Sequence, residues 1–171
     1  MNMLNQILPQ RIDNTYRGHR LALWLFIPVV VLKTGIALGT IFNGRAAAQA
    51  ADGIPLDSFG TAGAEAVVAL FAIWGLSQLV FSVLGVLALT RYRAMIPFMF
   101  ALLLLEHLAR RWILLVKPIA RTGTPPGLYI NLALVVLMIV GLALSLWSRG
   151  EVIPPESTSH AGTRPAGPSA P

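Results

Sequence analysis

Glu106, His107, Arg110 and Arg111 lie within LLLLEHLARRW, residues 102–112, a stretch otherwise made of leucine, alanine and tryptophan. A carboxylate, an imidazole and two guanidiniums are groups that can pair ions or pass protons. In hydrocarbon they are expensive, since each Arg, Lys or Asp costs roughly 2.5–3.5 kcal/mol at mid-depth on insertion scales. Charges in such a run therefore need partners or a task. Two other polar groups interrupt apolar runs in the same way, Lys33 and Gln78.

Depth relates these residues. At a rise of about 1.5 Å per residue, Lys33 lies roughly 18–20 Å along its run, and Glu106 and Gln78 each lie about 18 Å from the ends of theirs. A cation, an anion and an amide on three different helices then share one level. The expectation is that Lys33 and Glu106 pair in the interior, with Gln78 or Ser77 bonded to one of them, because opposite charges at one depth offset each other's desolvation. Two competing arrangements stay open. Glu106 and Arg110 are i,i+4 on one helix and can pair with each other, and Lys33, Arg110 and Arg111 can reach outward along their stems.

His107 completes the candidate polar site of Lys33, Gln78, Glu106 and His107. Its imidazole titrates near neutrality and can relay a proton, or it can simply hydrogen-bond a neighbouring helix. Metal binding by Glu106 and His107 is disfavoured because adjacent helical positions diverge by about 100°. No metal and no cofactor is expected. A second cluster, Arg110, Arg111, Asn131 and Tyr129, falls near the outer ends of two runs. It reads either as a pocket for an anionic head group or as interfacial anchoring. Gly35 and Gly39 form a G-x-x-x-G pattern, which lets helix backbones approach closely; packing inside the chain is expected of it rather than a dimer interface.

Four apolar runs must position these groups: about 21–42, 64–89, 94–116 and 128–146. The first is interrupted by Pro28 and Lys33. Of 171 residues 56% are hydrophobic and 12% charged, against about 25% charged in soluble domains, so the solvent is non-aqueous. AAAQA at 46–50 resembles a small-residue cleavage site, but the preceding apolar part is too long and too interrupted for a leader. The fold class expected is all-α, a transmembrane four-helix bundle. Residues 1–20 form a basic lead with a short surface helix, 21–148 one membrane domain, and 149–171, rich in Pro, Ser, Gly and Ala, a disordered tail. Residues 43–62 read as a hydrophilic loop with a helical turn or two, ended by Gly53 and Pro55.

The lead, the 91–93 turn and the tail hold seven Lys and Arg, against three to five on the other side. The positive-inside rule then puts both termini in the cytoplasm. Most Trp and Tyr residues fall near run ends, as aromatic belts require, but Trp74 sits well inside its run. The net charge of +6 is distributed at run ends and not on one face, so nucleic acid is not a partner. Cysteine is absent, which removes disulfides, thiolate metal sites and Cys nucleophiles. There is no G-x-S-x-G, H-E-x-x-H, P-loop or G-x-G-x-x-G motif.

In outline, four apolar runs over roughly residues 20–148 resemble the small four-span bacterial membrane proteins of DoxX type. That resemblance implies an association with membrane redox systems; no motif residue carries it, so it implies no site. The function expected is a non-enzymatic accessory or interaction subunit of a bacterial inner-membrane system, with the lipid bilayer and a membrane protein or a second copy as partners. The competing reading is a small transporter or proton-linked subunit using Lys33, Glu106 and His107.

Overall fold

The computed structural model describes residues 7, 8, 14, 16 and 18–147. The surface helix expected in the lead, a few of its residues apart, and the disorder expected of 149–171 lie outside that set. The described chain is helical and, among the described residues, contains no strand. Four long helices dominate it: α1 (Arg20–Phe42), α2 (Thr61–Thr90), α3 (Ile96–Val116) and α4 (Gly127–Leu146). α1, α2 and α4 are each long and apolar enough to cross a membrane. α3 has the length, but Glu106, Arg110 and Arg111 crowd its C-terminal half.

Pro28 does not break the first run, for α1 continues through it. A lone proline removes one backbone donor and frees one carbonyl, which surrounding turns can absorb. His19 caps the helix, its Nδ1 accepting from the Leu21 N–H at 3.2 Å. At the far end of α2 a one-turn 3-10 segment, Arg93–Met95, reverses the chain, and Pro97 sits in the first turn of α3, where its missing N–H costs nothing.

The helices bury narrow stripes and expose their bulk. On α1 the buried positions Ala22, Phe26, Val29, Val30, Lys33, Ala37 and Thr40 recur at helical spacing, so Lys33 belongs to the inward stripe. On α2 the inward stripe is small and polar: Gly75, Gln78, Ser82 and Gly85. Its leucines and valines face out, with Ile73 63% and Leu70 64% exposed. This inside-out pattern is what an apolar solvent permits, because contact there comes from close backbone approach and polar bonds. A Cβ at Gly75 would lie 3.0 Å from the Ala37 carbonyl, so α1 and α2 meet at that glycine.

Gly35 and Gly39 do not serve that contact, contrary to expectation. Both are exposed, and a Cβ on either would meet nothing within 4 Å. The inward stripe of α1 passes through positions 33, 37 and 40, which rotates 35 and 39 outward. The main core lies lower down, where Phe26 and Phe100 pack edge to face at 4.8 Å among Val29, Met99, Leu103 and Met138. α3 packs mainly on α4, and α1 packs on α2 and α4, while α2 and α3 touch more sparingly.

The segment after α1 holds the helical turns expected within 43–62, but it packs as a cap with a buried core of its own. It forms one α-helical turn (Gly44–Ala46), a wider π-type turn (Ala47–Ala51) and a 3-10 turn (Leu56–Ser58). Ala48, Ile54 and Leu56 are buried with Ala64 in a second, smaller core against Val67, Val68 and Phe71. Gly53, at φ 71°, adopts the left-handed conformation that favours glycine, and its carbonyl accepts from both Thr122 N–H (2.8 Å) and Thr122 Oγ1 (3.1 Å). The α1–α2 and α3–α4 connections are thereby joined at one end of the helices.

Candidate functional site

Lys33, Gln78 and Glu106 close a three-membered ring of hydrogen bonds across α1, α2 and α3. Lys33 Nζ donates to Gln78 Oε1 at 2.8 Å and to Glu106 Oε2 at 2.9 Å. Gln78 Nε2 donates to Glu106 Oε1 at 2.8 Å. Both carboxylate oxygens are thus engaged, one by an ammonium and one by an amide. The ion pair is shielded, with side-chain exposures of 6% for Lys33 and 18% for Glu106. Charge-assisted bonds of this length in a low-dielectric setting are strong, and each partner compensates the other's lost hydration.

Two of the alternatives read from sequence are not realised. Glu106 does not pair with Arg110; it turns to Lys33 and Gln78, while Arg110 donates to Asn131 Oδ1 of α4 at 3.2 Å. Lys33 does not reach outward but is buried. Ser77 takes no part, being exposed with its hydroxyl on the Ile73 carbonyl at 3.3 Å. Ser82 instead donates to the Gln78 backbone carbonyl at 3.0 Å, one turn further along the buried stripe.

His107 is buried but does not join the ring, which corrects the four-residue grouping. One residue beyond Glu106, it points about 100° away around the helix. Its Nδ1 lies 3.3 Å from Arg110 Nη2. Guanidinium only donates, so Nδ1 is the acceptor and the ring hydrogen sits on Nε2.

One turn outward from the ring lies a second cross-helix contact. The Arg110 guanidinium sits over the Trp74 ring, 4.8 Å from its centroid, and Phe71 meets Trp74 edge to face at 5.8 Å. α2 and α3 run antiparallel, so four residues back on one matches four residues on along the other. Gln78–Glu106, Trp74–Arg110 and Leu70–Leu114 therefore form successive levels about 6 Å apart. At the first two levels side chains join the helices. At the third, Leu70 and Leu114 line a cavity of about 250 Å³ whose walls are otherwise mostly Ile54, Phe71, Trp74 and Ile119.

A smaller polar cavity of about 70 Å³ adjoins it, bounded by His107, Arg110, Arg111, Arg121, Asn131 and Asp52. The structure thus brings Arg110, Arg111 and Asn131 to one place. Tyr129, grouped with them on sequence, is 64% exposed and lies on neither wall. Asp52 comes from the cap. Burial pushes its carboxyl above the ordinary aspartate range, against the opposing pull of Arg110 and Arg121. Among the described residues no three His, Asp or Glu side chains come together as metal ligands would.

Trp74, Asp52 and Arg121 were not singled out as site residues on sequence. Trp74 carried a signal, its place away from either aromatic belt, which a cation partner accounts for. Asp52 and Arg121 lie in loop segments with no pattern to mark them. No family model, no curated protein and no solved structure matches this chain, so the resemblance to four-span proteins of DoxX type stays one of outline.

Proposed function

We propose that the chain is a four-span integral membrane protein of a bacterial inner membrane, with both termini cytoplasmic, that acts as a non-enzymatic accessory or interaction subunit of a larger membrane system. The observation that carries this reading is the closed Lys33–Gln78–Glu106 ring. A group that ferries protons or substrate has to exchange partners with water. Here both carboxylate oxygens are occupied by side chains of two other helices, and neither outer cavity has Lys33, Gln78 or Glu106 in its walls. The ring fits a clamp that fixes three helices in register. α3 crosses the bilayer in this reading with Glu106 matched by Lys33 and Gln78, and Arg110 by Trp74 and Asn131.

Two measurements on native membranes test it together. A water-soluble carbodiimide should leave Glu106 unlabelled between pH 5 and pH 8, and the chain should co-purify with a defined membrane partner in mild detergent. Labelling of Glu106 that rises as pH falls would favour the proton-linked reading. A clean monomer without a partner would remove the accessory role.

A further inference from the structure

We propose that the paired outer cavities form a binding site for an anionic amphiphile, with a carboxylate or phosphate head in the polar cavity and a single apolar chain in the larger one. The inference goes beyond the accessory role and does not depend on it. Three guanidiniums, Arg110, Arg111 and Arg121, face the polar cavity against one carboxylate, Asp52. Among the described residues the ion pairs are Lys33–Glu106 and Arg45–Asp57, so none of the three guanidiniums has a described carboxylate at ion-pair distance. Among the described residues the direct contacts of the half-buried Arg110 are with neutral groups, the Asn131 carbonyl oxygen, the His107 ring nitrogen and the face of Trp74, while Glu106 and Asp52 attract it only from beyond ion-pair distance. An arginine held on three sides without a carboxylate in direct contact is preorganised to accept an anion.

The adjoining cavity supplies the other half of the ligand. It shares Asp52, Arg110, Leu114 and Arg121 with the polar one, so head and chain sites are continuous. Its remaining walls are apolar, and at about 250 Å³ it is smaller than the roughly 300–1,000 Å³ of drug-sized sites, which suits one chain and not two. Leu70 and Ile119 in its lining are 64% and 46% exposed, so the cavity opens sideways onto the protein surface beside α2 and α3. The apolar cavity lies at the Leu70–Leu114 level, about 6 Å beyond Arg110 towards the cap and about 30 Å from the Thr90 end of α2, at the edge of a ~30 Å hydrocarbon layer. The same chemistry is offered by an anionic phospholipid of the bilayer and by a free single-chain acid.

Fluorescence of Trp74 reads occupancy directly. In the full chain carrying Trp24→Phe, Trp112→Phe and Trp147→Phe, only Trp74 remains. Brominated dodecanoic acid should quench it saturably in neutral detergent, and the brominated methyl ester should need at least tenfold higher concentration. Arg110→Gln should weaken quenching by the acid at least tenfold. Arg121→Gln, in an exposed loop, should weaken it several-fold with unchanged helical circular dichroism. In nanodiscs, stronger quenching by brominated phosphatidylglycerol than by brominated phosphatidylcholine would identify the bilayer as the source; equal quenching by these two, with the free acid still saturable, would identify the free acid. Equal quenching by acid and ester, or no change in either arginine variant, would overturn the proposal.

Discussion

Lys33→Met removes the ammonium while keeping a long apolar stem in a site that is 5% exposed. Two hydrogen bonds vanish, to Gln78 and to Glu106. Polar bonds between helices in a membrane are modest, averaging about 0.6 and reaching about 1.7 kcal/mol, so the bonds alone predict about 1–3 kcal/mol. The stranded Glu106 carboxylate adds the larger part, and breaking a buried pair from one side costs about 3–5 kcal/mol in total. Glu106→Leu should cost a similar amount, since it strands the lysine. The double variant, Lys33→Met with Glu106→Leu, leaves only the Gln78 amide without its partners, about 1–3 kcal/mol. The two substitutions should therefore couple by about 3 kcal/mol or more in a double-mutant cycle. Unfolding titrated with sodium dodecyl sulfate in mixed micelles, followed by helical circular dichroism, measures all four corners. Single variants costing under about 1 kcal/mol, or a double variant equal to the sum of the singles, would show that the ring is not a clamp.

Asp52 gives a pH prediction of definite sign. Burial raises its carboxyl above the unfolded value, so its contribution to stability is fully present below the unfolded pKa, about 3.9, and is lost as pH rises through the folded one. Asp52→Asn, which cannot ionise, should gain stability relative to the parent at pH 7, and the gain should shrink as the pH falls towards 4 in thermal melts. A gain that grows on acidification would mean that Arg110 and Arg121 dominate instead. At Gly53 the left-handed backbone makes Gly53→Ala costly by about 1–2 kcal/mol, with the loss seen first as faster hydrogen exchange at Thr122, whose N–H bonds the Gly53 carbonyl.

Axial position was legible in the sequence, and rotation about each helix was not. Counting residues along three runs put Lys33, Gln78 and Glu106 at one level because helical rise is fixed. A buried charge also has few places to go. Azimuth depends on which neighbours a helix meets, and the charged and glycine positions were ambiguous in that respect. His107 follows Glu106 yet faces Arg110, and Gly35 and Gly39 face outward while Gly75 and Gly85 make the close contacts of α2. The four long helices were visible as apolar runs, within three residues at each end. The turns of the cap were legible but its packing was not, because its buried residues, Ala48, Ile54 and Leu56, are spread among glycines and polar groups with no period. Trp74 over Arg110 joins residues far apart in sequence, and only the antiparallel register of α2 and α3 brings them level.

The ring also bears on how the chain is made. α3 alone is poorly suited to hydrocarbon, since Glu106, Arg110 and Arg111 fall within its twenty-one residues. The groups that answer Glu106 lie on α1 and α2, both of which leave the ribosome before it. In a four-span protein, Lys33 would wait in the membrane, or near its edge, until Glu106 arrives. Hydrocarbon tolerance of α3 is then a property acquired from earlier segments and not one written in its own composition. Translation order becomes part of the folding mechanism: a chain whose α3 is synthesised without α1 should fail at insertion, before any question of stability arises.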